Sequence, residues 1–445
     1  MLNVAINRFL PRGVAGSTTA KRIAAPEYDQ IPRPVRWSFI AFAAVLPFEA
    51  ANLAFTSSTF SLAKLPGMVF FACYFFYYNA VSGKRPFPSG SAPLYWFLVY
   101  LLVFAANGLF LKSFYLGQFV AIFLTLAQLL LLFWIASSLL RVQTLARRVL
   151  LAFAFGAMFC ALGTLLSVPG FSTAIESRIG ERITALDFNP NYLAYTMALA
   201  AVVLIGTALD IPARSSWSKW FLIAPVLPLL AVIVRTGSRT GVVVFAIGFA
   251  ACLLPGRQSR NRFAVILLFV LVTGALTYLV MQNRIVLTRF QESYAGNLAG
   301  RQLIIPASLE MISERPVLGW QPVAYWEELG RRVGQTWGVK DAHNLFFHLL
   351  LEVGVLGAVP FVIGLALCVA SAWKARAGTF GNLPFALLMT TLSANLTQTY
   401  LTRKPQWLIL ALAVAAVAAA RQTKAARYLI RRPLRLSGAP RPITF

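Results

Sequence analysis

His343, Arg239 and Arg301 carry most of the chemistry this sequence offers. The chain holds only two histidines, so few groups can exchange a proton near neutral pH. His343 falls in Asp341-Ala342-His343-Asn344, where a polar stretch of about sixty residues gives way to a long apolar run. Asp341 is the expected N-cap of the helix that begins there. An imidazole at a helix N-terminus feels the positive end of the dipole, which favours its neutral form. A neutral imidazole accepts a proton, so His343 reads as a candidate general base. The competing reading is a capping or interfacial histidine.

The arginines near it point to an anion. Arg235 and Arg239 lie in Val234-Arg235-Thr236-Gly237-Ser238-Arg239-Thr240-Gly241, a tight turn between two apolar runs. Arginine at the hydrocarbon edge is costly unless it snorkels or meets an anion. Two in a Gly/Ser turn, whose free amides also attract anions, suggest a phosphate site. Arg289 and Arg301 bracket the start of the long polar stretch, and Arg301 opens an expected amphipathic helix ending at Glu314, before Pro316. A cation there opposes the helix dipole, so it is expected to serve something other than capping. Arg178 and Arg182 precede Asn189-Pro190-Asn191, which starts another apolar run and reads equally as helix-start chemistry or as binding. Guanidinium groups grip phosphate bidentately. A base and an arginine clamp, with no cluster of acids to hold a metal, fit transfer from a diphosphate-activated donor. The arginines would neutralise the leaving diphosphate while His343 takes the proton of the attacking hydroxyl.

The elements that must position these residues are membrane helices. Of 445 residues, 58% are hydrophobic and 12% charged, about half the charge of a soluble domain. Apolar runs long enough to cross a bilayer recur at 37–57, 61–80, 93–111, 115–140, 149–168, 191–209, 219–235, 240–254, 263–281, 344–372, 383–400 and 406–420, about twelve transmembrane helices in an all-α integral membrane protein. The expected organisation is a basic cytoplasmic tail (1–36), nine helices (37–281), one large loop (282–343), three helices (344–420) and a second basic cytoplasmic tail (421–445). No cleavable signal peptide is evident. The net charge of +26 reads as topology rather than nucleic-acid binding. With both termini inside, about 25 of the 40 lysines and arginines fall on the cytoplasmic side, facing anionic membrane lipid. Segments 169–190 and 282–343 then lie outside, and Arg239, Arg301 and His343 share that face. Nucleotide sugars are absent there, so the donor would be lipid-linked.

Other residues are less specific. The four cysteines (Cys73, Cys160, Cys252, Cys368) sit far apart within apolar runs and suggest neither a disulfide framework nor zinc. Glu49 is an intramembrane acid, functional or snorkelling. His348 lies on a different helical face from His343, so the pair is not a metal site and His348 reads as an interhelical polar contact. Trp320, Tyr325, Trp326 and Trp337 read first as an interfacial aromatic belt. Arg403 and Lys404 are further candidates for the basic pocket.

Several of these pieces together resemble the O-antigen ligase family, within the wider superfamily of O-antigen ligases and polymerases. They are Gly237-Ser238-Arg239, then Gly300-Arg301 with Glu314-Arg315-Pro316-Val317-Leu318-Gly319, then His343-Asn344 closing with Glu352 to Gly357. The resemblance implies a GT-C-type polytopic glycosyltransferase of the Gram-negative inner membrane, with one large periplasmic loop and no cofactor or metal. It implies an undecaprenyl-diphosphate-linked O-antigen as donor and lipid A-core oligosaccharide as acceptor, joined on the periplasmic face. It also implies that Arg239, Arg301 and His343 are the functional residues, with Arg235, Arg289, Arg178, Arg182, Asn189, Asn191 and Asn344 as substrate-binding candidates around them. The Trp that often follows the Gly-Arg pair is replaced here by Gln302-Leu303-Ile304-Ile305.

Two rivals remain at this stage. An O-antigen polymerase uses the same donor, and Arg289 to Gly300 matches an Arg-x10-Gly spacing seen among polymerases. The dominance of one loop favours the ligase. A lipid-linked sugar transporter would line an aqueous path with basic residues, but the sequence shows neither an inverted repeat nor paired broken helices.

Overall fold

The computed structural model describes residues 28–49, 62–82, 92–169, 171–177, 180–186, 188–210, 216–255, 262–298, 300–334 and 341–431. Most of both expected tails, and Arg178 and Trp337, lie outside the described residues. A backbone in hydrocarbon must satisfy its own hydrogen bonds, and the long apolar runs do so as helices. Among the described residues, six helices are long and apolar enough to cross a membrane, and four more are apolar but shorter.

In chain order the main elements are α1 (Arg33–Val45), α2 (Lys64–Phe76), α3 (Ala92–Gly108), α4 (Leu116–Leu139) and α5 (Gln143–Leu165). A hairpin follows, β1 (Ser172–Ser177) and β2 (Gly180–Ala185), then α6 (Pro190–Asp210), α7 (Ser216–Ile223), α8 (Val226–Arg235), α9 (Arg239–Leu253) and α10 (Arg262–Gln282). Last come α11 (Arg284–Tyr294), α12 (Arg301–Glu314), α13 (Ala324–Arg332), α14 (Leu345–Ala375), α15 (Leu383–Asn395) and α16 (Lys404–Arg431).

Proline accounts for two departures from the expected spans. Within the described part of the run 37–57, the α-helix reaches Val45 and tightens into a 3-10 turn at Leu46-Pro47-Phe48. The run 219–235 is divided between α7 and α8, with Pro225 capping the second piece. Segment 169–190, expected as a loop, holds the hairpin. Its antiparallel register pairs Ser172 with Ala185 and Ile175 with Arg182. A lone hairpin is marginal in water; this one is tied down where Arg182 Nε donates to Thr236 O (2.9 Å).

Helix α6 forms the centre. It is buried along nearly its whole length, whereas α10 is exposed along most of its own. Small residues let α9 press close to α6: a Cβ on Gly241 would lie 2.4 Å from that of Ala194. This contact sets the start of α9, and with it Arg239, beside the start of α6. At the far end of α6, Asp210 meets Arg147 (3.8 Å), about 30 Å away at 1.5 Å per residue.

Candidate active site

Where α6, α9, α12 and α14 begin, one cavity of about 180 Å3 opens, lined by Arg182, Asn189, Asn191, Arg239, Thr240, Arg289, Arg301, His343 and Gln398. Each lining residue has a local reason for its position. Gly237 takes a left-handed conformation (φ 64°) that turns the chain after α8. Ser238 then caps α9, its Oγ accepting from Gly241 N (3.1 Å) and donating to Asn191 Oδ1 (2.8 Å). Arg239 is the first residue of α9, and Arg301 the first of α12 after the left-handed Gly300 (φ 84°). Both arginines therefore sit at the positive end of a helix dipole, where a cation is disfavoured by about 0.3–1 kcal/mol and an anion is welcomed. Asn189 Oδ1 accepts from Asn191 N (2.9 Å), which fixes the Asn-Pro-Asn turn at the head of α6.

Backbone carbonyls hold the arginines. Arg239 Nη1 donates to Arg289 O (2.5 Å) and to Ser293 Oγ. Arg289 Nη1 donates to Gly237 O (3.2 Å), and Arg301 Nη2 to Thr397 O (2.8 Å). Arg182 reaches Thr236 O and, at 3.5 Å, Asn191 Oδ1. None of these four forms an ion pair with a carboxylate among the described residues. Burial, then the charges of Arg289 and Arg239, push the Arg182 guanidinium down to about 10. Burial and the Arg239 charge likewise lower Arg301. All remain charged at neutral pH, so the cavity concentrates positive charge.

His343 sits on the cavity wall in a left-handed conformation (φ 50°), one residue before the cap of α14. A residue other than glycine held there costs of order 1–3 kcal/mol and persists only when its surroundings fix it. The cap is Asn344, whose Oδ1 accepts from Phe346 N (2.9 Å) and Phe347 N (3.3 Å). The expectation that Asp341 caps this helix is corrected: Asp341 lies one turn of chain too early and faces Tyr325, Thr399 and the two histidines.

Behind the cavity, the large loop is locked to α14. That helix breaks at Gly354 (φ 60°, ψ −167°), and the turn after α12 enters the break. Val355 N donates to Pro316 O (2.8 Å), Leu356 N to Val317 O (3.2 Å) and Trp320 N to Leu351 O (2.6 Å). Irregular backbone at this depth is tolerated because each side completes the other's hydrogen bonds. A Cβ on Gly354 would lie 2.2 Å from Val317 O, and one on Gly319 would lie 2.7 Å from Leu351 O. The Glu-x-Pro-x-x-Gly and Glu-x-Gly-x-x-Gly stretches are thus two halves of one joint. Ile304, Ala307, Met311, Tyr325, Leu329, Ala342 and Leu351 form a small second core above it.

Not every candidate reaches the cavity. Arg235 is exposed in the last turn of α8, where a cation suits the dipole. Asn344 spends its side chain on the cap and on Leu396 O (3.2 Å). Arg403 and Lys404 turn to Glu49 instead (3.9 and 3.5 Å), which also accepts the Tyr192 hydroxyl (2.6 Å) and Lys404 N (3.1 Å). Tyr325 is fully buried in the second core, and Trp320 donates to Met311 O (2.7 Å) beneath Arg315 and Arg332, so these two are no interfacial belt. Sequence reading missed Thr240, although it lies in the Gly-Ser-Arg turn. It also missed Gln398, whose signal was a polar Thr-Gln-Thr step closing an apolar run.

Residues 223–362 match the sequence model of a family described as O-antigen ligase, a stretch that contains Arg239, Arg289, Arg301 and His343. No curated protein matches the chain. Over residues 223–362, the chain is similar to the O-antigen ligase family.

Proposed function

We propose that the chain is an O-antigen ligase of GT-C type, moving polysaccharide from undecaprenyl diphosphate to a hydroxyl of lipid A-core oligosaccharide at the periplasmic face of the inner membrane. The observation that carries this reading is the cavity itself: four arginines with no carboxylate ion pair among the described residues and one histidine, gathered from five separate segments. Arg239 and Arg301, with Arg182 and Arg289, would grip the donor's diphosphate and neutralise it as it leaves. Asn189, Asn191, Thr240 and Gln398 supply neutral donors and acceptors at the rim. His343 would take the proton of the acceptor hydroxyl as that oxygen attacks the sugar carbon bonded to the diphosphate. The site's position at the heads of apolar helices fits a substrate whose lipid stays in the bilayer while its diphosphate stands at the surface. The expected topology of about twelve spans with both termini cytoplasmic belongs to this reading, and the cavity lies at the end of α6 opposite the Arg147–Asp210 pair.

A polymerase would use the same donor and clamp. A reconstituted assay separates the two. Purified protein, undecaprenyl-diphosphate-linked glycan and lipid A-core are combined without nucleotide. Glycan appearing on lipid A-core with wild type, and not with His343→Ala, is the expected result. Longer lipid-linked chains would instead make the protein a polymerase. Donor moving between leaflets without new bonds would make it a transporter.

A further inference from the structure

A line of polar groups runs from half-buried His343 and Asp341 to buried His348 and Glu352 inside the bundle. His343 Nδ1 lies 3.7 Å from Asp341 Oδ2. The two oxygens of Asp341 have separate surroundings. Oδ1 accepts the Tyr325 and Thr399 hydroxyls (3.3 Å each) and lies 3.4 Å from His348 Nδ1. Oδ2 faces His343. Farther in, His348 Nε2 lies 3.4 Å from Glu352 Oε2, which accepts the Tyr100 hydroxyl at 3.3 Å. Glu352 is 1% exposed and His348 6%. Among the described residues, no three of His, Cys, Asp or Glu converge as a metal would require; the groups form a line instead.

Ionisable groups buried at membrane depth are expensive and persist where they serve a function. Fixing one loop does not need them, because the joint at Gly354 already does that with backbone alone. What the line accomplishes is to immobilise one carboxylate. Oδ1 takes the two hydroxyls, which restrain the Asp341 side chain with Oδ2 on the His343 side. The hydrogen bonds and charges of His348 and His343 outweigh burial and hold the Asp341 carboxyl below its usual range, so it is an anion at neutral pH.

We propose that Asp341 is a positioning residue for His343. Resting on the reading of His343 as the base, the inference assigns Asp341 Oδ2 to receive the Nδ1–H of His343, which leaves Nε2 as the proton acceptor. In the transfer step the acceptor oxygen bonds to the sugar carbon, and the carbon–oxygen bond to the diphosphate breaks with its electron pair on the diphosphate. The hydroxyl proton passes to Nε2 and later to water. Asp341 stabilises the imidazolium without itself taking the proton, as second members of such dyads do. A side chain that must hold a base in a left-handed, strained segment gives that strain a use.

The test uses the full-length protein in the reconstituted transfer assay. Asp341→Asn is expected to lower kcat roughly a hundredfold or more while the donor KM stays within about twofold. Asp341→Glu should recover about a tenth or more of wild-type kcat, because it restores the charge. In a His343→Ala background, Asp341→Asn should add little, since the two act as one unit. A kcat within about threefold of wild type in a folded Asp341→Asn protein would overturn the proposal, as would a further large loss in the double variant. If Asp341→Asn fails to fold, Thr399→Val removes one hydroxyl from Oδ1. A fall in kcat of about threefold to tenfold then supports the proposal, and an unchanged kcat overturns it. Full activity in His343→Ala alone would mark the base assignment as the failed step and end the proposal with it.

Discussion

Two groups of arginines lie along the same third of the chain, and they are held in opposite ways. Arg331 and Arg332 on α13 are saturated by acids: Arg332 reaches Glu314 at 2.6 Å and Glu328 at 2.7 Å, and Arg331 reaches Glu328 at 2.6 Å. Those contacts hold Glu314 and Glu328 below the usual carboxylate range and raise Arg332. Arg182, Arg239, Arg289 and Arg301 have carbonyls in place of acids. A carbonyl orients a guanidinium without cancelling its charge, whereas a carboxylate does both. Arg332 thus fastens α13 to α12 through Glu314, while in the proposed reading the second group keeps its charge for a ligand.

Substitutions should separate the two groups by their readouts. Arg239→Ala and Arg301→Ala are expected to lower the transfer rate by about a hundredfold to a thousandfold, the usual scale for removing one donor that stabilises developing charge. Arg239→Lys should also be impaired by about tenfold or more, because an ammonium cannot present the planar fork. Steady-state rates on reconstituted protein check both, and rates near wild type would erase the distinction. Gly354→Ala tests the joint beneath them. The added Cβ meets Val317 O, and the backbone there is left-handed, so a loss of about 3 kcal/mol or more is expected in chemical denaturation. An unchanged midpoint would mean the joint yields. A smaller effect should appear on adding inorganic pyrophosphate. Wild type should gain roughly a few degrees in thermal midpoint by mass action, and Arg301→Ala much less. Smallest of all, Arg332→Ala should lower the thermal midpoint by roughly a few degrees and leave transfer within about twofold. A large loss of transfer there would place α13 in the site.

Much of the cavity was legible in the sequence because its residues lie where apolar runs end. Asn189, Asn191, Arg239 and His343 flank such boundaries, and Arg239, Arg301 and His343, expected on one face, line one cavity. The helical character of the chain was legible for the same reason, since apolar runs of this length have few other options. What escaped was anything set by partners distant in sequence. Asp341 read as a helix cap because its neighbours allow one; its actual partners, Tyr325 and Thr399, lie 16 and 58 residues away. Tyr325 read as an interfacial aromatic because a single sequence does not show a second core. The hairpin at 172–185 went unseen because its strands are short and polar. The break at Gly354 was hidden inside an apolar run that continues on both sides.

The most direct test of the central claim is the affinity of purified protein for undecaprenyl diphosphate, compared between wild type, Arg301→Ala and Arg332→Ala. Binding weakened about tenfold or more by Arg301→Ala, roughly 1.4 kcal/mol, and untouched by Arg332→Ala is the expected result. Equal affinity in all three would contradict the assignment of the carbonyl-held arginines to the diphosphate.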